Sequence, residues 1–114
     1  MAQNYNKLRV YQESMTLATD IYQSLKGMNR DFRIKEQLTA SVTSIGANLA
    51  EMSAFDHPGQ IRQKLVTCIA EANETEHWIE FCKTNGIIDP ASCKDFTERI
   101  QKVRRMLYSL LKTV

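Results

Sequence analysis

Residues 41–51 read SVTSIGANLAE, a stretch whose apolar residues fit either a short buried strand or the middle of a helix. The flanking sequence decides between the two, because apolar residues recur every three or four positions rather than at every second position. The apolar positions are Ile34, Leu38, Val42, Ile45, Leu49 and Met52. This spacing is typical of one face of an amphipathic helix, so the stretch is predicted to be the middle of a helix.

Three further apolar stripes with the same spacing predict three more helices. The first stripe comprises Leu8, Tyr11, Met15, Ala18, Tyr22 and Leu25. The third comprises Ile61, Leu65, Cys68, Ala72, Thr75, Ile79 and Cys82. The fourth comprises Phe96, Ile100, Val103, Leu107 and Leu110. No stretch alternates as a strand would, so the chain is predicted to be all-α.

Turn and capping residues separate the predicted helices. The first ends near Gly27, Pro58 and Gly59 precede the third, and Asn85-Gly86 forms a typical helix C-cap. Asp89-Pro90 places a capping acid before a proline at the first helical position. The helices are expected at about 8–26, 33–54, 59–85 and 90–112. Because the connections are short, residues 1–114 are predicted to form a single antiparallel up-down-up-down four-helix bundle.

Length and composition bound the class of protein. The chain has 114 residues, of which 43% are hydrophobic and 25% charged, as expected for one globular domain. It has neither an N-terminal apolar segment nor an apolar run near the ~20 residues of a membrane span, so a cytoplasmic protein without a membrane role is expected. Three cysteines without a CxxC pair favour reduced thiols that act as small core residues.

The sequence predicts neither an enzyme nor a cofactor. Glu74 and His77 form an ExxH motif, the spacing found in di-iron bundles, but such a centre needs a second motif and two more acids. The other histidine, His57, has Ala54 where the paired glutamate would stand. No GxSxG motif or other nucleophile pairing is present, so no catalytic residue and no metal ligand are assigned.

Two helices carry features beyond the core stripe. Gly46 stands mid-helix among small residues, which indicates close helix packing; a phosphate cradle would require consecutive glycines in a loop. On the third helix, Glu74, Trp78 and Phe81 cluster roughly opposite the stripe. An aromatic patch of this kind predicts a subunit interface, the alternative being burial of Trp78 against a helix of the same subunit. Glu76 lies close to the stripe and is expected to be satisfied by the polar flank of the second helix, with Asn48 and Gln37, or by an arginine, rather than to act as a functional acid.

Positive charge concentrates on the fourth helix. The net charge is only +2, but residues 89–114 hold six basic and three acidic residues. The candidate nucleic-acid-binding residues are Lys94, Lys102, Arg104, Arg105 and Lys112. Such a face attracts phosphates, particularly when an oligomer repeats it. The alternative is a solvated face in which Glu98 pairs with Lys94 or Lys102.

The chain resembles the four-helix-bundle family named for proteins encoded in intervening sequences of bacterial ribosomal RNA genes. The resemblance is carried by LRVYQ (8–12), TSIGANLAE (43–51), EANETEHWIEF (71–81) and NGII (85–88). Its motif positions are Ser44, Asn48, Glu51, Asn73 and Glu74. Ala40 and Val42 stand where many members carry Arg and Gly, so any contribution of that arginine to a nucleic-acid surface is missing here.

The resemblance implies ring-shaped homopentamers. The family is also similar to the accessory proteins of diversity-generating retroelements, which engage a reverse transcriptase and nucleic acid. Two hypotheses follow. The first is a non-enzymatic oligomeric accessory protein that binds RNA or DNA through the basic face of the fourth helix. The second is a protein–protein interaction scaffold with no nucleic-acid role.

Overall fold

Four α-helices make up most of residues 4–114, the part of the chain that the computed structural model describes. They are α1 (Arg9–Leu25), α2 (Phe32–Met52), α3 (Pro58–Thr84) and α4 (Pro90–Leu111), preceded by a 3-10 turn at Tyr5–Lys7. Each helix begins and ends within two residues of the expected position. No strand occurs within residues 4–114, so the prediction of an all-α fold is confirmed.

The helices form a bundle in which sequence neighbours are also spatial neighbours. α2 packs between α1 and α3, and α4 closes the square by packing on both α3 and α1. The bundle measures 43 × 21 × 20 Å, and its long axis matches the ~40 Å expected for the 27 residues of α3. Short connections alternate between the two ends, which gives the predicted up-down-up-down order.

The predicted stripes of α2, α3 and α4 form the core. Every predicted position on α3 is buried, and on α2 and α4 only the terminal Ile34 and Leu110 are half-exposed. The one polar pair in this core is satisfied, because Thr75 donates to the Ser41 hydroxyl at 3.0 Å and to the backbone carbonyl of Glu71 at 2.8 Å. Three helices therefore pack with the faces that their sequences indicate.

The predicted stripe of α1 is wrong at four of its six positions, although Ala18 and Leu25 are buried as predicted. Met15 and Tyr22 are exposed, and Leu8 and Tyr11 are only partly buried. The buried positions are Val10, Ser14, Leu17, Ala18, Ile21 and Leu25. Each residue of a helix is rotated by about 100° from the one before it. The predicted and the buried stripes have the same periodicity and lie on neighbouring faces of α1. The structure buries the face richer in aliphatic residues and leaves the face with Met15 and the tyrosine ring of Tyr22 toward solvent.

Capping residues fix the ends of the helices. Gly86 has a φ of 68°, and the amide of Ile87 donates to the backbone carbonyl of Cys82 at 2.8 Å. This is the Schellman arrangement, and it ends α3. Asp89 caps α4 by accepting from the Ser92 amide at 2.9 Å. The N-cap of α3 is His57, whose Nδ1 accepts from the Gly59 amide at 3.0 Å. Of these caps, only that of His57 has no counterpart in the sequence prediction.

Gly46 packs less tightly than its position suggests. It lies on the α1 side of α2, and a methyl group added there would meet the Tyr11 ring at 3.5 Å, an ordinary van der Waals distance. The contact between the two helices therefore does not require glycine.

All three cysteines are free and buried, as the sequence predicts. Burial raises the pKa of Cys68 to about 12 and that of Cys82 to about 11, and it also raises the pKa of Cys93. Because the folded values exceed the unfolded one, the resulting stability is complete below about pH 8.5 and is lost as the pH rises toward 11 and 12.

The buried thiols should react with Ellman's reagent at pH 8 only as fast as the protein unfolds, because the thiolate is the reactive species and the native fold suppresses it. In denaturant all three should react at the rate of a free cysteine. The time course of thiol release in native buffer and in guanidinium measures this difference. Rapid release of even one equivalent from the native protein would contradict the burial of these side chains.

Candidate nucleic-acid and subunit interfaces

The outward face of α4 presents three of the five candidate cations together. Asp89 and Pro90 start the helix, and its buried stripe turns Lys94, Arg105 and Lys112 toward solvent. These residues are 11 and 7 positions apart, so on a helix of 3.6 residues per turn they lie within about 20° of one line. None of the three forms an ion pair within residues 4–114. They are the available cations of this face.

Lys102 and Arg104 are held by acids from other helices. Lys102 Nζ lies 3.1 Å from Glu13 Oε1 of α1, so this lysine pairs with α1 and not with Glu98, the partner offered by the alternative of a solvated face. Arg104 Nη1 donates to Glu76 Oε1 of α3 at 2.6 Å and to Asn73 Oδ1 at 3.1 Å. These two cations connect helices, and their charge is largely neutralised locally.

Glu76 is satisfied by α4 rather than by the polar flank of α2. It accepts from Arg104 and, through Oε2, from Gln101 Nε2 at 3.0 Å. Burial raises the pKa of this carboxyl, but the hydrogen bonds from Arg104 and Gln101 outweigh burial and hold it below its usual value. The prediction of an arginine partner is confirmed, and Glu76 is charged at neutral pH.

Sequence reasoning missed two residues beside the available cations. Arg9, at the start of α1, lines a groove of about 420 Å³ between α1 and α4 together with Lys102 and Arg105. Tyr108 is exposed on α4 between Arg105 and Lys112. The spacing on α4 could have indicated Tyr108, whereas Arg9 reaches this site only through the packing of α1 on α4.

Positive charge gathers at one end of the bundle. Residues 4–13, 51–66 and 102–114 meet there, as the bond from Arg62 Nη2 to the backbone oxygen of Val114 at 2.7 Å shows. Of the chain's 15 Lys and Arg and 13 Asp and Glu, these segments hold eight and three. The rest of the chain holds seven and ten. We call the first group the basic end; it includes Arg105 and Lys112, whereas Lys94 lies about 27 Å from Lys112 along α4.

The aromatic patch predicted on α3 is present on the surface of the subunit. Phe81 is exposed and Trp78 is half-buried, with ring centroids 6.0 Å apart in an edge-on arrangement. Glu74 Oε2 accepts from the Trp78 indole nitrogen at 3.2 Å. The three predicted interface residues therefore lie together, on the flank of α3 that is nearer α2.

Three of the five family-motif residues, Asn48, Glu51 and Asn73, take part in polar links between helices. Asn48 donates to the Ser44 backbone carbonyl at 2.9 Å and to its hydroxyl at 3.1 Å. Lys64 of α3 reaches both Glu51 Oε1 at 2.6 Å and Asn48 Oδ1 at 3.4 Å. Asn73 performs the same kind of role on the other flank of α3, where it accepts from Arg104. These residues position α3 between its neighbours.

The outer face of α1 and α2 forms a second apolar surface that the sequence reasoning missed. From Gln37 to Ala50, α2 carries no charged residue, although Ala40, Thr43 and Ala47 face solvent. Beside them, a groove of about 330 Å³ runs between the helices. The groove is lined by Tyr11, Ser14, Met15, Ala18, Val42, Thr43, Gly46, Ala47 and Ala50. Tyr22 and Phe32 extend this exposed surface toward the other end of the bundle.

The part of the chain that the structure describes offers neither a metal cluster nor a membrane-spanning helix. Within residues 4–114, no three His, Cys, Asp or Glu side chains lie close enough together to hold a metal ion. Over that range, no helix combines the length and the apolar character that crossing a bilayer requires.

Comparison with known proteins supports the resemblance seen in the sequence. A family model described as 23S rRNA-intervening sequence protein matches residues 6–109. A crystal structure of a protein of unknown function from the S23 ribosomal protein family of Bacteroides thetaiotaomicron VPI-5482 superposes with a TM-score of 0.84. The two chains are 28% identical over 90% of this chain and 95% of that one. A search of curated proteins finds no match.

Proposed function

The chain belongs to the 23S rRNA-intervening sequence protein family, and we propose that it is a non-enzymatic, oligomeric four-helix bundle that binds RNA or DNA. The observation that carries the proposal is the basic end, whose segments hold eight basic and three acidic residues. Five of the eight basic side chains form no ion pair within residues 4–114. A surface with this imbalance releases counterions when it neutralises phosphates, which favours nucleic-acid binding at low and moderate salt.

The binding residues that we propose differ in part from those predicted. Arg105 and Lys112 remain, and Arg9 joins them because it lies beside Arg105 in the groove between α1 and α4. Lys102 and Arg104 have acidic partners on α1 and α3, so they contribute less to the outward field. Lys94 stands among the acidic residues of the opposite half and is assigned a secondary role.

Two surfaces support an oligomer. The uncharged outer face of α2 borders the groove with α1, whereas the aromatic patch lies on α3. Depletion of charge and enrichment in aromatic residues are the compositional marks of a buried interface. An interface between two different faces is heterologous and generates a ring if the rotation closes. We propose such a ring, with five subunits as the family resemblance implies, in which all basic ends point to the same side.

The second candidate is a scaffold that binds another protein and has no nucleic-acid role. The observation that favours it is the Trp78–Phe81 pair, since aromatic residues dominate the energetics of protein interfaces. A reverse transcriptase is one such partner by family resemblance. Under this alternative, changes at the basic end leave partner binding intact.

The test is a triple variant in which Arg9, Arg105 and Lys112 are changed to alanine. Binding to labelled RNA and to duplex DNA is measured by fluorescence anisotropy across a salt series. We expect at least a tenfold loss of affinity at low salt and a salt slope reduced by about 2 to 3, since each phosphate contact contributes about 0.7 to 0.9.

The matched control changes Lys26, Arg33 and Lys83 to alanine. This control also removes three positive charges, but from the other half of the bundle. None of the three residues forms an ion pair within the described part of the chain. Equal losses in both triple variants would show that net charge, not the basic end, drives binding. Absence of binding by the unmodified protein at low salt would exclude the nucleic-acid role and leave the scaffold.

A further inference from the structure

We propose that the outward face of α4 binds single-stranded RNA or DNA, with one base stacked on Tyr108 and the adjoining phosphates held by Arg105 and Lys112. This inference rests on the proposed function and specifies its ligand.

Tyr108 is an aromatic residue whose exposure the fold does not explain. It is 48% exposed, and its ring has no aromatic neighbour within residues 4–114. Tyr11, in contrast, packs edge-on against Tyr5 with centroids 5.1 Å apart and is partly buried. A large ring left open on a helix that is otherwise polar on that side is available to a ligand.

The residues around Tyr108 supply the charge that such a ligand needs. Arg105 precedes it by three positions and Lys112 follows it by four, which places both side chains beside the ring on the same helical face. Neither cation has an acidic partner among residues 4–114. The arrangement is therefore an aromatic platform between two available cations, with Arg9 close to Arg105 across the groove.

This combination fits a single strand better than a duplex. A tyrosine can stack on a base only where the face of that base is free, and a duplex covers both faces of its internal bases. Proteins that bind single strands combine a basic surface with stacking aromatics, and every base offers a π-face. The nearby amide of Gln101 is bonded to Glu76, so it is not free to read base edges. Binding should consequently tolerate many sequences.

The experiment compares Tyr108→Leu with Tyr108→Phe. The leucine keeps an apolar side chain but removes the ring, whereas the phenylalanine keeps the ring and loses only the hydroxyl. Affinities for oligodeoxythymidine, oligouridine and a duplex of equal length are measured by anisotropy. A strand containing 2-aminopurine reports stacking directly, because its fluorescence is quenched when the base stacks.

We expect the unmodified protein and Tyr108→Phe to bind the single strands more tightly than the duplex and to quench 2-aminopurine. Tyr108→Leu should bind the single strands roughly 5- to 150-fold more weakly, the range found for loss of a base–aromatic stack, and should not quench. Its duplex affinity should stay within about twofold of the unmodified protein, since the cations are unchanged. Circular dichroism checks that each variant is folded.

Other results overturn the inference in distinguishable ways. If Tyr108→Leu binds single strands as the unmodified protein does, while the Arg9, Arg105 and Lys112 triple variant binds weakly, the stacking role is wrong and the nucleic-acid function stands. If the unmodified protein binds neither single strands nor duplex at low salt, the proposed function fails and this inference fails with it.

Discussion

Replacing Leu65 with alanine is expected to lower the free energy of unfolding by about 3 kcal/mol. Leu65 is fully buried on the core face of α3, the helix that packs on both α2 and α4. Truncation removes the transfer free energy of its methyl and methylene groups and leaves a cavity that fixed helices fill only in part. Such a loss is a large fraction of the ~5–15 kcal/mol that stabilises a typical domain.

The adjacent residue provides the matched control. Val66 is 49% exposed, so Val66→Ala should change stability by less than about 0.5 kcal/mol in the isolated subunit. Both variants are compared by urea denaturation monitored by circular dichroism, at one protein concentration because the stability of the proposed oligomer would depend on concentration. A larger loss for Val66→Ala than for Leu65→Ala would contradict the placement of Leu65 in the core and of Val66 at the surface.

The core of α2, α3 and α4 was predictable because each of these helices has one clear aliphatic stripe. α1 was not, because Met15 and Tyr22 form a stripe with the same spacing as the buried one. The spacing of apolar residues indicates that a helix has an apolar face. It does not indicate which of two such faces, separated by about 100°, is buried. The choice depends on which face packs better against the side chains of α2 and α4. The spacing of apolar residues within α1 does not show this.

Of the candidate site, the sequence predicts the basic face of α4 but not the acidic partners that other helices bring to it. The basic character of α4 follows from composition, and the line through Lys94, Arg105 and Lys112 follows from spacing. The partners that neutralise Lys102 and Arg104 lie 89 and 28 residues away in sequence, at Glu13 and Glu76. Contacts within one helix are visible in its sequence, whereas these contacts arise from packing between helices.

The uncharged face of α2 is visible in the sequence itself. Helices of a bundle normally carry charge on the side away from the core, and α2 carries none from Gln37 to Ala50. The small residues there predict close packing against a neighbouring helix of the same bundle. The structure instead leaves Ala40 and Ala47 at the surface beside an open groove, which favours contact with another molecule.

Arg104 and Arg105 are neighbours in sequence, and we expect their replacement by alanine to affect different properties. The first replacement should lower stability, and the second should weaken nucleic-acid binding. Arg104→Ala should lower the free energy of unfolding by about 1.5 kcal/mol, because it removes a charged hydrogen bond to Glu76. The side chains of the pair are only 24% and 29% exposed, so water replaces the bond incompletely. Arg105→Ala should change stability by less than about 0.5 kcal/mol and weaken nucleic-acid binding instead.

The pH dependence identifies the interaction that Arg104 makes. Hydrogen bonding holds the pKa of Glu76 below its usual value despite burial, so its contribution to stability is present above about pH 4.3 and is lost as the pH falls through the depressed pKa. Arg104→Ala should flatten this part of the stability profile, and Arg105→Ala should leave it unchanged. Urea midpoints measured from pH 7 to pH 3 give both profiles, and anisotropy at pH 7 gives the binding. If Arg104→Ala instead weakens binding without loss of stability, Arg104 belongs to the ligand surface and the division of the α4 cations drawn from the structure is wrong.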